Sequence, residues 1–197
     1  MGDFRLAPPV RTGREGTRRL SRRALVPVAM LLIAACGPRR LEVVGPIEGP
    51  EEVAEAVERS TRLTEPTRID FTWRLNEGGS RLSGDGVARI EPPYRARLDL
   101  FLENGESVIS AALVDDDLRL PPGAPEDVLP PVDLMWGTLG VFRPMEGMEL
   151  VGGELLEEGA RRLRYREPGG EELRYELVDD SVRALEVVEG GSVVEWV

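Results

Sequence analysis

From Ile69 onward the chain alternates. Ile69, Phe71, Trp73 and Leu75 are apolar, while Asp70, Thr72, Arg74 and Asn76 between them are polar. A period of two marks a strand with one buried face. Gly78-Gly79 predicts a turn, and Arg81 to Glu91 a second strand with Leu82, Gly84, Gly86, Ala88 and Ile90 on one side. Two glycines on that side predict a bulge, a bend or a close approach. Pro92-Pro93 ends the strand. Tyr94, Ala96, Leu98, Leu100 and Leu102 alternate with Arg95, Arg97, Asp99 and Glu103, and Asn104-Gly105 is a hairpin signal that returns the chain through Ser107 to Asp115. A turn at Asp115-Asp116-Asp117 and a short edge at Leu118 to Leu120 follow. Met148 to Leu156, Ala160 to Arg166, Glu171 to Val178, Val182 to Val188 and Ser192 to Val197 repeat the pattern beyond residue 147.

Two stretches break the period of two. Glu51 to Leu63 reads as a helix: Pro50 precedes it, Glu51 and Glu52 suit its first turn, and Val53, Ala56, Val57, Ser60 and Leu63 fall on one face. Pro121 to Pro131 holds five prolines, with room for one helical turn near Glu126 to Leu129. Asp133 is then placed to cap a nearly all-apolar helix over Leu134 to Phe142. The pattern predicts one helix, about four strands, a proline-rich loop with a short apolar helix, and about five more strands. Its second face carries Arg162, Arg164, Arg166, Arg174 and Glu176, a solvated surface of cross-strand charge.

The N-terminus belongs to a different pattern. Ala24 to Ala35 is apolar but too short for the ~20 residues that span a bilayer. Arg11, Arg14, Arg18, Arg19, Arg22 and Arg23 precede it, and Ile33-Ala34-Ala35 lead into Cys36. A positive flank, a short apolar run and small residues describe a secretory signal peptide. The last four residues resemble the bacterial lipobox, which implies cleavage between Ala35 and Cys36 and acylation of the Cys36 sulfur. Two or more acyl chains make a stable membrane anchor where one is marginal. Ser21-Arg22-Arg23-Ala24-Leu25 partly resembles a twin-arginine export motif, so both export routes stay open. Three regions are therefore expected: a signal peptide over 1–35, a lipidated tether over 36–50, and a domain over 51–197.

Composition narrows the chemistry. All 25 basic residues are arginine; there is no lysine, no histidine and no cysteine besides Cys36. Seven arginines and two acids precede Cys36, leaving 18 basic and 34 acidic residues after it. So acidic a surface repels nucleic acid and anionic headgroups. Ser-His-Asp triads, Cys-His pairs and Schiff-base lysines are closed to it, and zinc would need carboxylates alone. Asp115-Asp116-Asp117 lacks the spacing of an EF-hand loop and reads as a turn rather than a calcium site. Nothing brings two acids into one cleft for glycoside cleavage. No enzymatic activity, cofactor or metal is expected.

The lipobox, the amphipathic helix, the stretches "FTWRL" and "LSGDGVARIEPPYRARLDL", and the later "LPPVDLMWGTLGVF" together resemble lipoprotein localisation factors of the LolA/LolB class. The likeness runs from about Glu51 onward. It implies a mainly β fold with helices (α+β): a curved antiparallel sheet forming an unclosed β-barrel, covered by the N-terminal helix and a short inserted helix. It also implies a hydrophobic cavity for lipid or lipoprotein acyl chains, and a lipid-anchored member is similar to the receptor of that class. The candidate lining is Trp73, Leu98, Leu100, Leu113, Trp136 and Phe142, of which Trp136 and Phe142 suit either a lid or a packed plug. Arg95 and Arg97 read as a charged outer face. Gly37 stands where an aspartate retains lipoproteins on the inner membrane, so the expected location is the periplasmic side of the outer membrane. The competing expectation is a non-enzymatic assembly lipoprotein that docks a protein partner in the envelope.

Overall fold

The computed structural model describes residues 41–77, 80–124 and 128–197. The signal peptide, the cleavage and acylation positions Ala35 and Cys36, tether residues 37–40, the Gly78-Gly79 turn and residues 125–127 of the proline-rich loop lie outside them. No helix among the described residues is long and apolar enough to cross a membrane.

Among the described residues the architecture is mostly antiparallel β with two helices, which is an α+β arrangement. Eleven strands among the described residues divide between two open sheets. β1 (Val43–Pro46) and helix α1 (Pro50–Thr61) come first. A meander of β2 (Thr67–Glu77), β3 (Ser80–Glu91), β4 (Arg95–Leu102), β5 (Ser107–Val114) and β6 (Asp117–Arg119) forms the five-stranded sheet. Helix α2 (Val132–Thr138) leads to β7 (Glu149–Leu156), β8 (Arg161–Arg166), β9 (Glu172–Val178), β10 (Ser181–Glu189) and β11 (Ser192–Trp196). These five, with β1 added outside β7, make the six-stranded sheet.

Expectation and structure differ at three places. The sequence reading has one continuous curved sheet, whereas the strands fall into two. The break falls after β6, which is three residues long and runs into a proline-rich loop, and β7 pairs with β1 and β8 in the other sheet. The stretch read as tether is partly folded: Leu41 is buried against Leu156, Ala160 and Val178, and β1 pairs with β7. The second helix is shorter than Leu134 to Phe142 and starts from Pro131, so Asp133 sits in its first turn and not at its cap. It stops at a Schellman motif. Gly140 at φ 78° sends its N–H to Gly137 O at 2.9 Å, and Val141 donates to Trp136 O at 2.9 Å.

Each sheet buries one face in its own cluster. The six-stranded sheet presents Leu163, Tyr165, Leu173, Tyr175, Leu177, Leu185 and Val187 to Val57 of α1, with Val53 and Ala54 beside it. The five-stranded sheet presents Ala88, Ile90, Ala96, Leu98, Ala111 and Leu113. Helix α2 serves both: Leu134 enters the first cluster, and Met135, Trp136 and Leu139 enter the second. Opposite faces carry charge, as the alternation predicts. Arg162 bridges Glu154 (3.3 Å) and Glu176 (3.9 Å), and Arg174 meets Glu172 at 2.7 Å. Arg97 and Arg89 share Asp99 on the outer side of the other sheet. Arg162 is 8% exposed, so its two pairs mainly offset the cost of burying its charge.

The two glycines of β3 mark close approaches. There is no break in the β2–β3 register, and Phe71 lies opposite Gly86, Trp73 opposite Gly84. A Cβ on Gly84 would stand 1.9 Å from the carbonyl oxygen of Phe101, a β4 backbone atom held by pairing with β3. Gly84→Ala is therefore expected to lower stability by about 1–3 kcal/mol, against the usual gain of ~0.4–1 kcal/mol where alanine fits. Urea denaturation of the two proteins checks this.

Candidate functional site

The inner face of the five-stranded sheet is a grid fixed by register. Ile90, Ala96 and Leu113 form one row, and Ile69, Ala88, Leu98 and Ala111 the next. Phe71, Gly86, Leu100 and Ile109 follow; then come Trp73, Gly84 and Leu102, and finally Leu75 opposite Leu82. The cluster that α2 completes takes in the first two rows, with Phe71 at its margin. Beyond it the face stays apolar but opens to solvent. Leu100 and Ile109 are buried, Trp73, Leu75 and Leu102 are half-buried, and Leu82 is 42% exposed.

The glycines shape this open end. Phe71 places its ring where a Gly86 Cβ would be, 2.4 Å from that position, with Leu100 Cδ2 at 3.0 Å. Trp73 lays its indole across β3 and β4, and Nε1 donates to Asp85 O (3.1 Å) and Phe101 O (3.2 Å). Large side chains thus lie flat on the sheet, because β3 has no side chain beneath them. The result is an apolar floor on which the Trp73 indole N–H is already paired.

Helix α2 is held at the margin of this floor by three clasps. Trp136 Nε1 donates to Asp115 O at 2.7 Å. Phe142 N donates to Thr61 Oγ1 at 3.0 Å, joining the chain after α2 to the end of α1. Arg143, 17% exposed, donates to Asp116, approaches Asp115 at 3.7 Å and stacks on Tyr94 at 4.3 Å. The acidic triplet read as a turn is one, with Asp115 at φ 53° and Asp117 paired to Arg119. Among the described residues no group of acids is arranged to hold a metal ion.

The candidate lining residues separate. Leu98, Leu113 and Trp136 lie in one cluster, and Leu100 is buried on the same face two residues along the strand. Trp73 is half-buried at the open end. Phe142 belongs to the other cluster, stacked edge-on with Tyr175 (4.7 Å) and Tyr165 (6.1 Å). Phe71, Leu75, Leu82 and Leu102 complete the floor. The alternation placed them on this face, but only the extent of α2 reveals that they extend past the cover.

Buried ionisable groups collect around the aromatic trio. Burial pushes the Tyr165 hydroxyl up to about 12, helped by Glu58 and Glu51. Burial also raises Tyr175, with Tyr165 and Asp133 adding to it. Among the described residues the Tyr175 hydroxyl has no hydrogen-bond partner. Burial raises Asp133 above the usual carboxylate range, with backbone hydrogen bonds at Asp133 and Leu134 working against it.

No family model, no curated protein and no solved structure matches the chain.

Two outcomes follow from these groups. An unpaired buried hydroxyl costs ~1–3 kcal/mol, so Tyr175→Phe is expected to raise stability by about 1 kcal/mol in denaturant titration. For Asp133 the raised folded-state pKa means that folding favours the protonated acid. Its penalty is absent below the ordinary carboxylate pKa of ~3.9 and grows as pH rises toward the folded value. The stability of Asp133→Asn relative to the parent should accordingly climb across that window and then level off, measured as the difference between denaturation midpoints at stepped pH.

Proposed function

We propose that this protein is a lipid-anchored, periplasm-facing binding protein of the LolA/LolB type. It takes lipid or lipoprotein acyl chains against the inner face of the five-stranded sheet, for lipoprotein localisation or lipid transport at the outer membrane. In this reading the two open sheets act as an unclosed barrel around α2, with α1 and α2 as its cover. The Cys36 lipid holds it to the membrane, and Gly37 favours the outer one.

The observation that carries the reading is the apolar floor that outruns its helix. Trp73, Leu75, Leu82 and Leu102 continue the buried face of β2–β4 where α2 no longer covers it. Such a surface recognises hydrocarbon through burial alone, at ~25 cal/mol per Å² or ~0.8 kcal/mol per methylene. No nucleophile or proton donor is required, which suits a folded chain without histidine, lysine or free thiol. Trp73 has its indole N–H already paired and presents only ring surface to a guest.

A series of fluorescent acyl probes of increasing chain length tests this on the purified protein. Each methylene added should tighten binding about fourfold until the floor is filled, following ~0.8 kcal/mol per group. Leu82→Asp should weaken binding tenfold or more with an unchanged melting temperature, because Leu82 is exposed in the free protein. Equal probe binding by Leu82→Asp, or no gain with chain length, would overturn the reading.

A further inference from the structure

We propose that the β1–β7 edge of the six-stranded sheet is the face this domain rests on a lipid bilayer, with Val43, Val44 and Leu155 in contact with the lipid surface. The proposal rests on the reading of Cys36 as the acylated anchor.

The argument begins with distance. Leu41 is 4% exposed and packed against Leu156, Ala160 and Val178, so the chain is fixed to the fold at that residue. Only Gly37, Pro38, Arg39 and Arg40 separate it from Cys36. At ~3.3–3.6 Å per residue, those steps hold Leu41 within roughly 18 Å of the anchored cysteine. The β1 end of the domain therefore stays at the headgroup layer whatever the rest does. The connecting residues suit that layer: two of the four are arginine, in a chain whose folded part is strongly acidic.

Surface chemistry points to the same edge. Five large apolar side chains are exposed among the described residues, and three lie here: Val43 (53%), Val44 (64%) and Leu155 (38%). β1 is an outermost strand, bonded to β7 on one side only. The ladder is irregular between Val43 and Gly45, which leaves Val44 unpaired at the bend, and Gly45 lies opposite Leu155. An open edge with bare valines is a template for unwanted pairing unless something covers it. A bilayer surface a few residues from the anchor is the cover that the chain's own length supplies. The acyl chains already provide attachment, so these side chains set which way the domain faces.

The test uses the mature acylated protein in phosphatidylethanolamine–phosphatidylglycerol vesicles. The sulfur of Cys36 is consumed by acylation, so a cysteine introduced elsewhere is the one free thiol. An environment-sensitive dye is placed through Val44→Cys, through Leu155→Cys, or, as a control on the outer face of β2, through Thr72→Cys. The first two are expected to shift to the blue on vesicles and to be quenched by nitroxide lipids at least threefold more than the third. Equal quenching at all three positions on an acylated protein overturns the proposal alone. A blue shift that follows protein concentration and not lipid assigns the edge to a second copy and also overturns it. Intact mass showing no acyl groups on Cys36 overturns the anchor and the proposal together.

Discussion

The close approach of α2 to β10 at Gly137 is the constraint on which the rest of the structure depends. A Cβ at that position would lie 2.4–2.5 Å from both methyl groups of Leu185, a core residue 1% exposed. The missing side chain lets seven residues of helix sink between two sheets that share no strand. From that depth Leu134 reaches one cluster and Met135 and Trp136 reach the other. Two cores that would each be small are joined into one buried body, which matters for a chain with no disulfide to limit its unfolded state. The clasps through Trp136, Phe142 and Arg143 keep that depth constant, so α2 behaves as a wedge.

What the sequence makes legible is everything governed by local period. Each strand from β2 to β11 is recoverable from alternation to within a residue or two, because a half-buried strand writes its two faces into every second position. The amphipathic α1 is legible for the same reason. What depends on distant partners is not. β1 is four residues long, contains Gly45 and Pro46, and exists because β7 offers an edge more than a hundred residues away. The division into two sheets depends on β7 pairing with β1 and not with β6, a choice of partner that local period does not record. The short reach of α2 follows from Gly140, whose left-handed backbone stops the helix before an apolar run that continues to Phe142.

The candidate site shows the same division. Gly84 and Gly86 were visible as an anomaly in an otherwise bulky strand, yet three explanations fit them equally well. Register decided among these by placing Trp73 and Phe71 directly opposite. Trp73, Leu98, Leu100 and Leu113 share the inner face that alternation assigned them. Phe142 does not join them, since it lies beyond the helix end and turns to the tyrosines of the other sheet. Tyr175 gave no sequence signal, because an unpaired hydroxyl is a property of its neighbours.

The placement of β1 also decides how the two sheets relate at their seam. β6 pairs with β5 and β7 with β1, so the flank of β7 that a continuous ring would require is already taken. The seam is therefore propped, not merely unfinished: a short foreign strand acts as a doorstop. Clipping the chain behind Pro46 would bare a long ladder flank on β7, a template for self-association.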